Sequence, residues 1–156
     1  MLLGSSHQGS VVVLQNKTIL LLENVEDDVF MFRRALLNLG FQGQIRIVDS
    51  VRAARDYMRG DGVFRDRQYF PGPDLIVCDF GLTGERGTDF VRWLKEQPEY
   101  RHIPVVFFSG SIPEREMPAV LREFDVPIHR KDIDFQVTAR TVQTMVGYMD
   151  QPQARA

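Results

Sequence analysis

The sequence predicts an α/β fold in which one parallel sheet carries helices on both faces. Three observations predict it. Five short apolar runs punctuate the chain, at residues 19–22, 45–48, 75–78, 105–108 and 126–128. The first, third and fourth are almost continuously apolar, the pattern of strands buried on both faces. Stretches with helical spacing separate the runs, and strand–helix alternation of this kind builds parallel sheets with right-handed crossovers.

After the first run, Val29, Phe32, Leu36 and Leu39 recur at spacings of three and four, one stripe of a helix. Gly40 stands where that helix should stop. Residues 51–59 form a weaker second helix. Phe90, Val91 and Leu94 mark a third. Met117, Val120, Leu121 and Phe124 mark a fourth, with Pro113 near its start. Phe135, Thr138, Val142, Met145 and Met149 mark a long fifth. Between the second helix and the third run lies a long loop, 60–73, punctuated by Gly60, Gly62, Pro71 and Pro73 and aromatic at Phe64, Tyr69 and Phe70. Residues 17–149 are read as one domain, with tails at 1–16 and 150–156; no output domain is expected in so short a tail.

Composition excludes several classes. The chain has 156 residues, 44% hydrophobic and 26% charged, enough for one core without disulfides or a structural metal. Its formal net charge of −2 gives no global pull toward nucleic acid or anionic membrane. No apolar run approaches the roughly 20 residues of a bilayer span. Cys78 is the single cysteine, so neither an internal disulfide nor a cysteine zinc cluster is possible. A cytoplasmic location is expected.

In open parallel sheets, sites form beyond the carboxyl ends of the strands. The residues there are Glu23 and Asn24 after the first run, Asp79 after the third, Ser109 after the fourth and Lys131 after the fifth. Together they suit phosphoryl transfer to a carboxylate. An Asp can act as nucleophile and hold an aspartyl phosphate. A lysine and a divalent cation neutralise the phosphoryl oxygens, and a hydroxyl donates to one of them. Mg²⁺ favours a few carboxylate oxygens with waters and phosphate. Glu23 and Asp79 offer those oxygens, and the Asn24 amide a weaker one. Singly these residues have plainer readings: Asp79 as a turn former, Lys131 as a solvated charge, Ser109-Gly110-Ser111 as a turn. Glu23 and Lys131 could form a structural ion pair, and Asp27 and Asp28 favour the start of the first helix through its dipole.

The segments Thr18-Ile-Leu-Leu-Leu-Glu-Asn24, Pro73-Asp-Leu-Ile-Val-Cys-Asp79 with Gly87, Ile103-Pro-Val-Val-Phe-Phe-Ser109 and His129-Arg-Lys131 resemble the receiver domain of response regulators. Asp79 and Ser109 are 30 positions apart, and Ser109 and Lys131 are 22, spacings usual in that family. The long loop and the Asp27-Asp28 pair resemble its stand-alone, phytochrome-associated members. The resemblance implies a flavodoxin-like (βα)5 fold with strand order 2-1-3-4-5. It implies phosphoryl transfer to Asp79 from a sensor histidine kinase or histidine phosphotransfer protein, without turnover of an external substrate. Lys131 and Ser109 would meet the phosphoryl group. Glu23, Asn24, Asp79 and the Gly81 carbonyl would surround Mg²⁺. Output to a downstream protein, and any homodimer, would use the fourth helix, fifth strand and fifth helix, where Phe124 and Ile128 are expected to lie.

The chain departs from the family in four places. Asn24 replaces a second acid, which predicts weaker Mg²⁺ binding. Thr83 and Asp132 replace prolines, and Ile128 replaces the aromatic switch residue. Without a proline at 132, a cis bond after Lys131 would cost about 3 kcal/mol. The departures keep open a phosphorylation-independent adaptor. Asp79-Phe80-Gly81 spells the metal triplet of protein kinases, but no His-Arg-Asp loop or Gly-rich loop with a lysine accompanies it. Gly81 also stands where haloacid-dehalogenase-like phosphatases carry their acid/base Asp, which disfavours hydrolysis.

Overall fold

The computed structural model describes residues 16–82 and 84–150. The tail residues 1–15 and 151–156, and the departure at Thr83, lie outside the described residues. Five strands form one parallel sheet: β1 (Thr18–Leu22), β2 (Gln44–Val48), β3 (Leu75–Cys78), β4 (Val105–Ser109) and β5 (Ile128–Arg130). Their order is β2-β1-β3-β4-β5, as expected. Five α-helices connect and follow them: α1 (Glu26–Asn38), α2 (Val51–Arg59), α3 (Gly87–Glu96), α4 (Met117–Glu123) and α5 (Phe135–Gly147).

The strand pleat sorts the core into two layers. Ile19, Leu21, Leu75, Val77, Val106 and Phe108 face α1 and α5, where Phe32, Leu36, Val142 and Met145 meet them. Leu20, Leu22, Ile76, Cys78, Val105 and Phe107 face the other way, onto Ala54 and Tyr57 of α2, Phe90 and Leu94 of α3 and Val120 of α4. Residues 19–22 and 75–78 are all at most 2% exposed, which explains why these runs lack alternation.

Local signals set several boundaries. The Ser50 hydroxyl accepts from the Ala53 amide at 3.1 Å and opens α2. Gly60 closes it at φ 72°, in the left-handed region. The spacing-based bounds of α2 hold at both ends. Expectations for β5 and α4 need correction. β5 begins at Ile128, not at residue 126, because this edge strand pairs only with β4 and is half exposed, so it carries no apolar signature. Leu121, placed on the apolar stripe of α4, is 61% exposed, because this helix has only seven residues and buries Val120 alone. Pro113 accepts the turn bonds that lead into α4, while Pro118 is the proline in its first turn. No described peptide bond is cis, including that of Lys131–Asp132.

The loop 60–73 is held down by its aromatic residues. Tyr57 is fully buried, with the Phe64 and Phe70 rings 5.1 and 6.0 Å away. Its hydroxyl donates to the Pro71 carbonyl at 2.7 Å, and Arg67 donates to the Tyr57 carbonyl at 2.7 Å. The Arg46 guanidinium lies 4.4 Å from the Tyr69 ring centre and donates to the Tyr69 carbonyl. Tyr57→Phe keeps the rings and strips the Pro71 carbonyl of its donor. We expect a loss of about 1 kcal/mol in urea unfolding; an unchanged midpoint would mean that water satisfies that carbonyl.

Candidate functional site at the carboxyl edge of the sheet

Backbone bonds across strand ends fix the site before any side chain does. The Glu23 amide donates to the Val48 carbonyl at 3.0 Å, the Asp79 amide to Leu22 at 3.0 Å, and the Lys131 amide to Ser109 at 2.9 Å. Glu23, Asp79 and Lys131 each leave the sheet one position beyond a paired strand end, and Ser109 is the last residue of β4, so all four stand at the same edge. Gly87 completes the frame. A Cβ there would lie 2.0 Å from the Asp79 carbonyl oxygen and 3.0 Å from the Cys78 sulfur. Only glycine lets α3 begin against the backbone that carries Asp79.

Three of the predicted side chains meet. The Lys131 Nζ lies 2.5 Å from Glu23 Oε2 and 3.5 Å from Asp79 Oδ1. Glu23 is 3% exposed and Asp79 6%. Glu23 Oε1 accepts from the Asn24 and Val25 amides, each at 3.1 Å. Burial raises the Glu23 carboxyl above its ordinary value; the Lys131 hydrogen bond opposes this and the Asp79 charge adds to it. Burial alone would lower Lys131, but its bonds to Glu23 and Asp28 and the Asp79 charge outweigh that and raise it. The ammonium is therefore charged at neutral pH.

The Ser109 hydroxyl is buried and donates to the Ser111 carbonyl at 3.5 Å, so it is turned along its own loop. Asn24 and Gly81 are exposed. The sequence assigns Asp28 to the helix dipole and, with Asp27, to the resemblance to stand-alone receivers, but to no contact with the site. It lies in the acidic first turn of α1, as that reading requires, but its Oδ2 also sits 2.9 Å from the Lys131 Nζ. The signal for this was present: Asp28 precedes Phe32 by four and Leu36 by eight, so it begins the stripe that α1 turns toward the sheet.

The donor chemistry fits a divalent cation. Three carboxylates surround one ammonium, two of them buried, and this leaves negative charge uncompensated. Among the described residues no group of three or more His, Cys, Asp or Glu is spaced to hold a metal ion. A cation here would draw on Glu23 and Asp79 together with amide and carbonyl oxygens and water, a set that suits Mg²⁺.

The face of α4, β5 and α5 differs from expectation in one residue. Phe124 is 7% exposed and packs inward, 5.9 Å from the Phe107 ring and 5.7 Å from the Arg92 guanidinium. Ile128 is half-buried. Leu121 supplies the exposed apolar surface of α4. No helix of the described residues is long and apolar enough to cross a membrane.

No protein-family model matches the chain. The chain is 27% identical over 131 residues to the probable methanogenesis regulatory protein FilR2 of Methanothrix harundinacea, covering 83% of this chain and 81% of that protein. It is 26% identical over 103 residues to the response regulator Rcp1 of Synechocystis sp., covering 66% and 68%. The Mn²⁺-bound structure of Rcp1 superposes with a TM-score of 0.73 at 22% identity, over 90% of this chain and 99% of that one. The phosphorylated cyanobacterial phytochrome response regulator RcpA superposes with a TM-score of 0.77 at 22% identity, again over 90% and 99%. Relatives, strand order and the strand-end residues agree: the chain is similar in sequence to response regulators and shares the fold of the phytochrome-associated regulators.

Proposed function

We propose that Asp79 accepts a phosphoryl group from a sensor histidine kinase or a histidine phosphotransfer protein in the cytoplasm, and that the modified chain signals by protein–protein contact. The observation that carries this reading is the Lys131 ammonium 3.5 Å from the Asp79 carboxylate in a largely buried pocket. In the transfer, an Asp79 oxygen forms a bond to phosphorus as the phosphorus–nitrogen bond of the donor phosphohistidine breaks. The electron pair leaves with the imidazole, which takes a proton. Lys131 offsets the charge on the phosphoryl oxygens. Ser109 turns from the Ser111 carbonyl to donate to one of them. Glu23, Asp79, the Asn24 amide and the Gly81 carbonyl would hold a Mg²⁺ ion, which supplies further charge neutralisation and, with Asn24 uncharged, binds weakly. Output runs through the face of α4, β5 and α5, which also serves any homodimer.

The second reading is an adaptor that works without phosphorylation. It draws on Asn24 in place of an acid and on the lack of a three-residue acidic metal cluster among the described residues. One experiment separates the two. The protein is incubated with Mg²⁺ and acetyl phosphate, and separately with Mg²⁺ and beryllofluoride. We expect an acid-labile phosphoryl group on Asp79 and beryllofluoride-dependent spectral change, both lost in Asp79→Ala. Identical behaviour of wild type and Asp79→Ala would leave the adaptor.

A further inference from the structure

We propose that Asp28 is a positioning residue that holds the Lys131 ammonium from the α1 side and keeps one of its N–H groups directed at Asp79. The inference rests on the phosphoacceptor reading above for its consequence, but its geometry is independent of it. An ammonium carries three N–H donors. Three carboxylates stand around this one, Glu23 at 2.5 Å, Asp28 at 2.9 Å and Asp79 at 3.5 Å. The two short contacts anchor the nitrogen. The long one is the contact that a phosphoryl oxygen on Asp79 can take over without moving the anchors.

A single anchor would not suffice. Lysine is a point charge on a flexible four-carbon stem, so a nitrogen held by Glu23 alone could pivot about that contact. Glu23 is itself fixed, because its other oxygen accepts from two backbone amides. Asp28 comes from a different element, the first turn of α1, which Phe32, Ala35 and Leu36 lock into the core. The lysine thus spans two rigid supports. The Asp28 side chain is 36% exposed, so it is no core filler, and its amide variant should leave the packing intact. Its dipole contribution to α1 is shared with Glu26 and Asp27, which provides an internal control.

The test compares Asp28→Asn with Asp27→Asn. Two quantities are measured: hydrogen exchange of the Lys131 side-chain ammonium by NMR, and the maximal rate and half-saturation of Asp79 labelling by acetyl phosphate with Mg²⁺. Asp28→Asn is expected to speed ammonium exchange and to lower the maximal labelling rate about tenfold, with half-saturation little changed. Asp28→Glu should recover part of both, and Asp27→Asn should match wild type. If Asp28→Asn leaves the Lys131 resonance and its exchange as in wild type, or if both asparagine variants behave alike, the proposal is overturned. If wild type takes no label at all, the phosphoacceptor reading fails, and the ammonium exchange alone decides the role of Asp28.

Discussion

Gly87→Ala is expected to destabilise the domain by about 3 kcal/mol. Two effects compete. Alanine at a helix start is favoured over glycine by at most about 1 kcal/mol. Against it, the new methyl carbon would stand 2.0 Å from the Asp79 carbonyl oxygen and 3.0 Å from the Cys78 sulfur. The first is a backbone atom fixed by sheet pairing, since the Asp79 amide is bonded to β1, and it cannot swing aside as a side chain can. The clash wins, and relief requires α3 to move away from the strand end. Urea unfolding reads the loss as a lower midpoint with an unchanged slope. Because α3 begins against the backbone that carries Asp79, strain at that contact should also lower labelling by acetyl phosphate in the same variant. A midpoint equal to wild type would mean that α3 does not abut the Asp79 backbone.

Lys131→Met should be nearly as costly at neutral pH. The substitution keeps much of the stem and removes the charge, leaving Glu23 and Asp79 buried with no ammonium between them. Breaking a buried pair by deleting one partner costs about 3 kcal/mol, or a melting temperature lower by roughly 10 °C in a domain of this size. The pH dependence gives the mechanism. Glu23 is already raised above 4.5 by burial, with Lys131 opposing the rise. Without the lysine its folded-state value rises further. A carboxyl raised in the folded state favours folding below its unfolded value and opposes it as pH increases. The deficit of Lys131→Met should therefore shrink as pH falls toward the carboxylate range and widen toward neutrality. Thermal melts at several pH values test this; a deficit independent of pH would assign the effect to packing.

The sheet was legible in the sequence because its physics is local. Residues 19–22 and 75–78 are apolar on both faces for the same reason that they are buried on both faces. Ser50 and Gly60 bound α2 through caps that act within a few residues. Reading failed where an element buries little. β5 is half exposed and α4 buries Val120 alone, so neither carries a full periodic signature. Phe124 was placed on the output face because aromatic type does not reveal direction; its contact with Phe107 comes from another strand.

The site divides in the same way. Position just after an apolar run is a property of the chain, and it marked Glu23, Asn24, Asp79, Ser109 and Lys131. Which of them touch is not. Asp28 and Lys131 lie 103 positions apart and meet only because α1 and β5 share one edge of the sheet. The amino-acid order alone determined the strands, their parallel arrangement and the set of polar groups at their ends, since burial and capping act over a few residues. Only the tertiary structure decided that one ammonium serves three carboxylates and that Ser109 rests turned along its own loop. Coulomb attraction and hydrogen bonding depend on distance in space, and the packing of distant elements sets that distance.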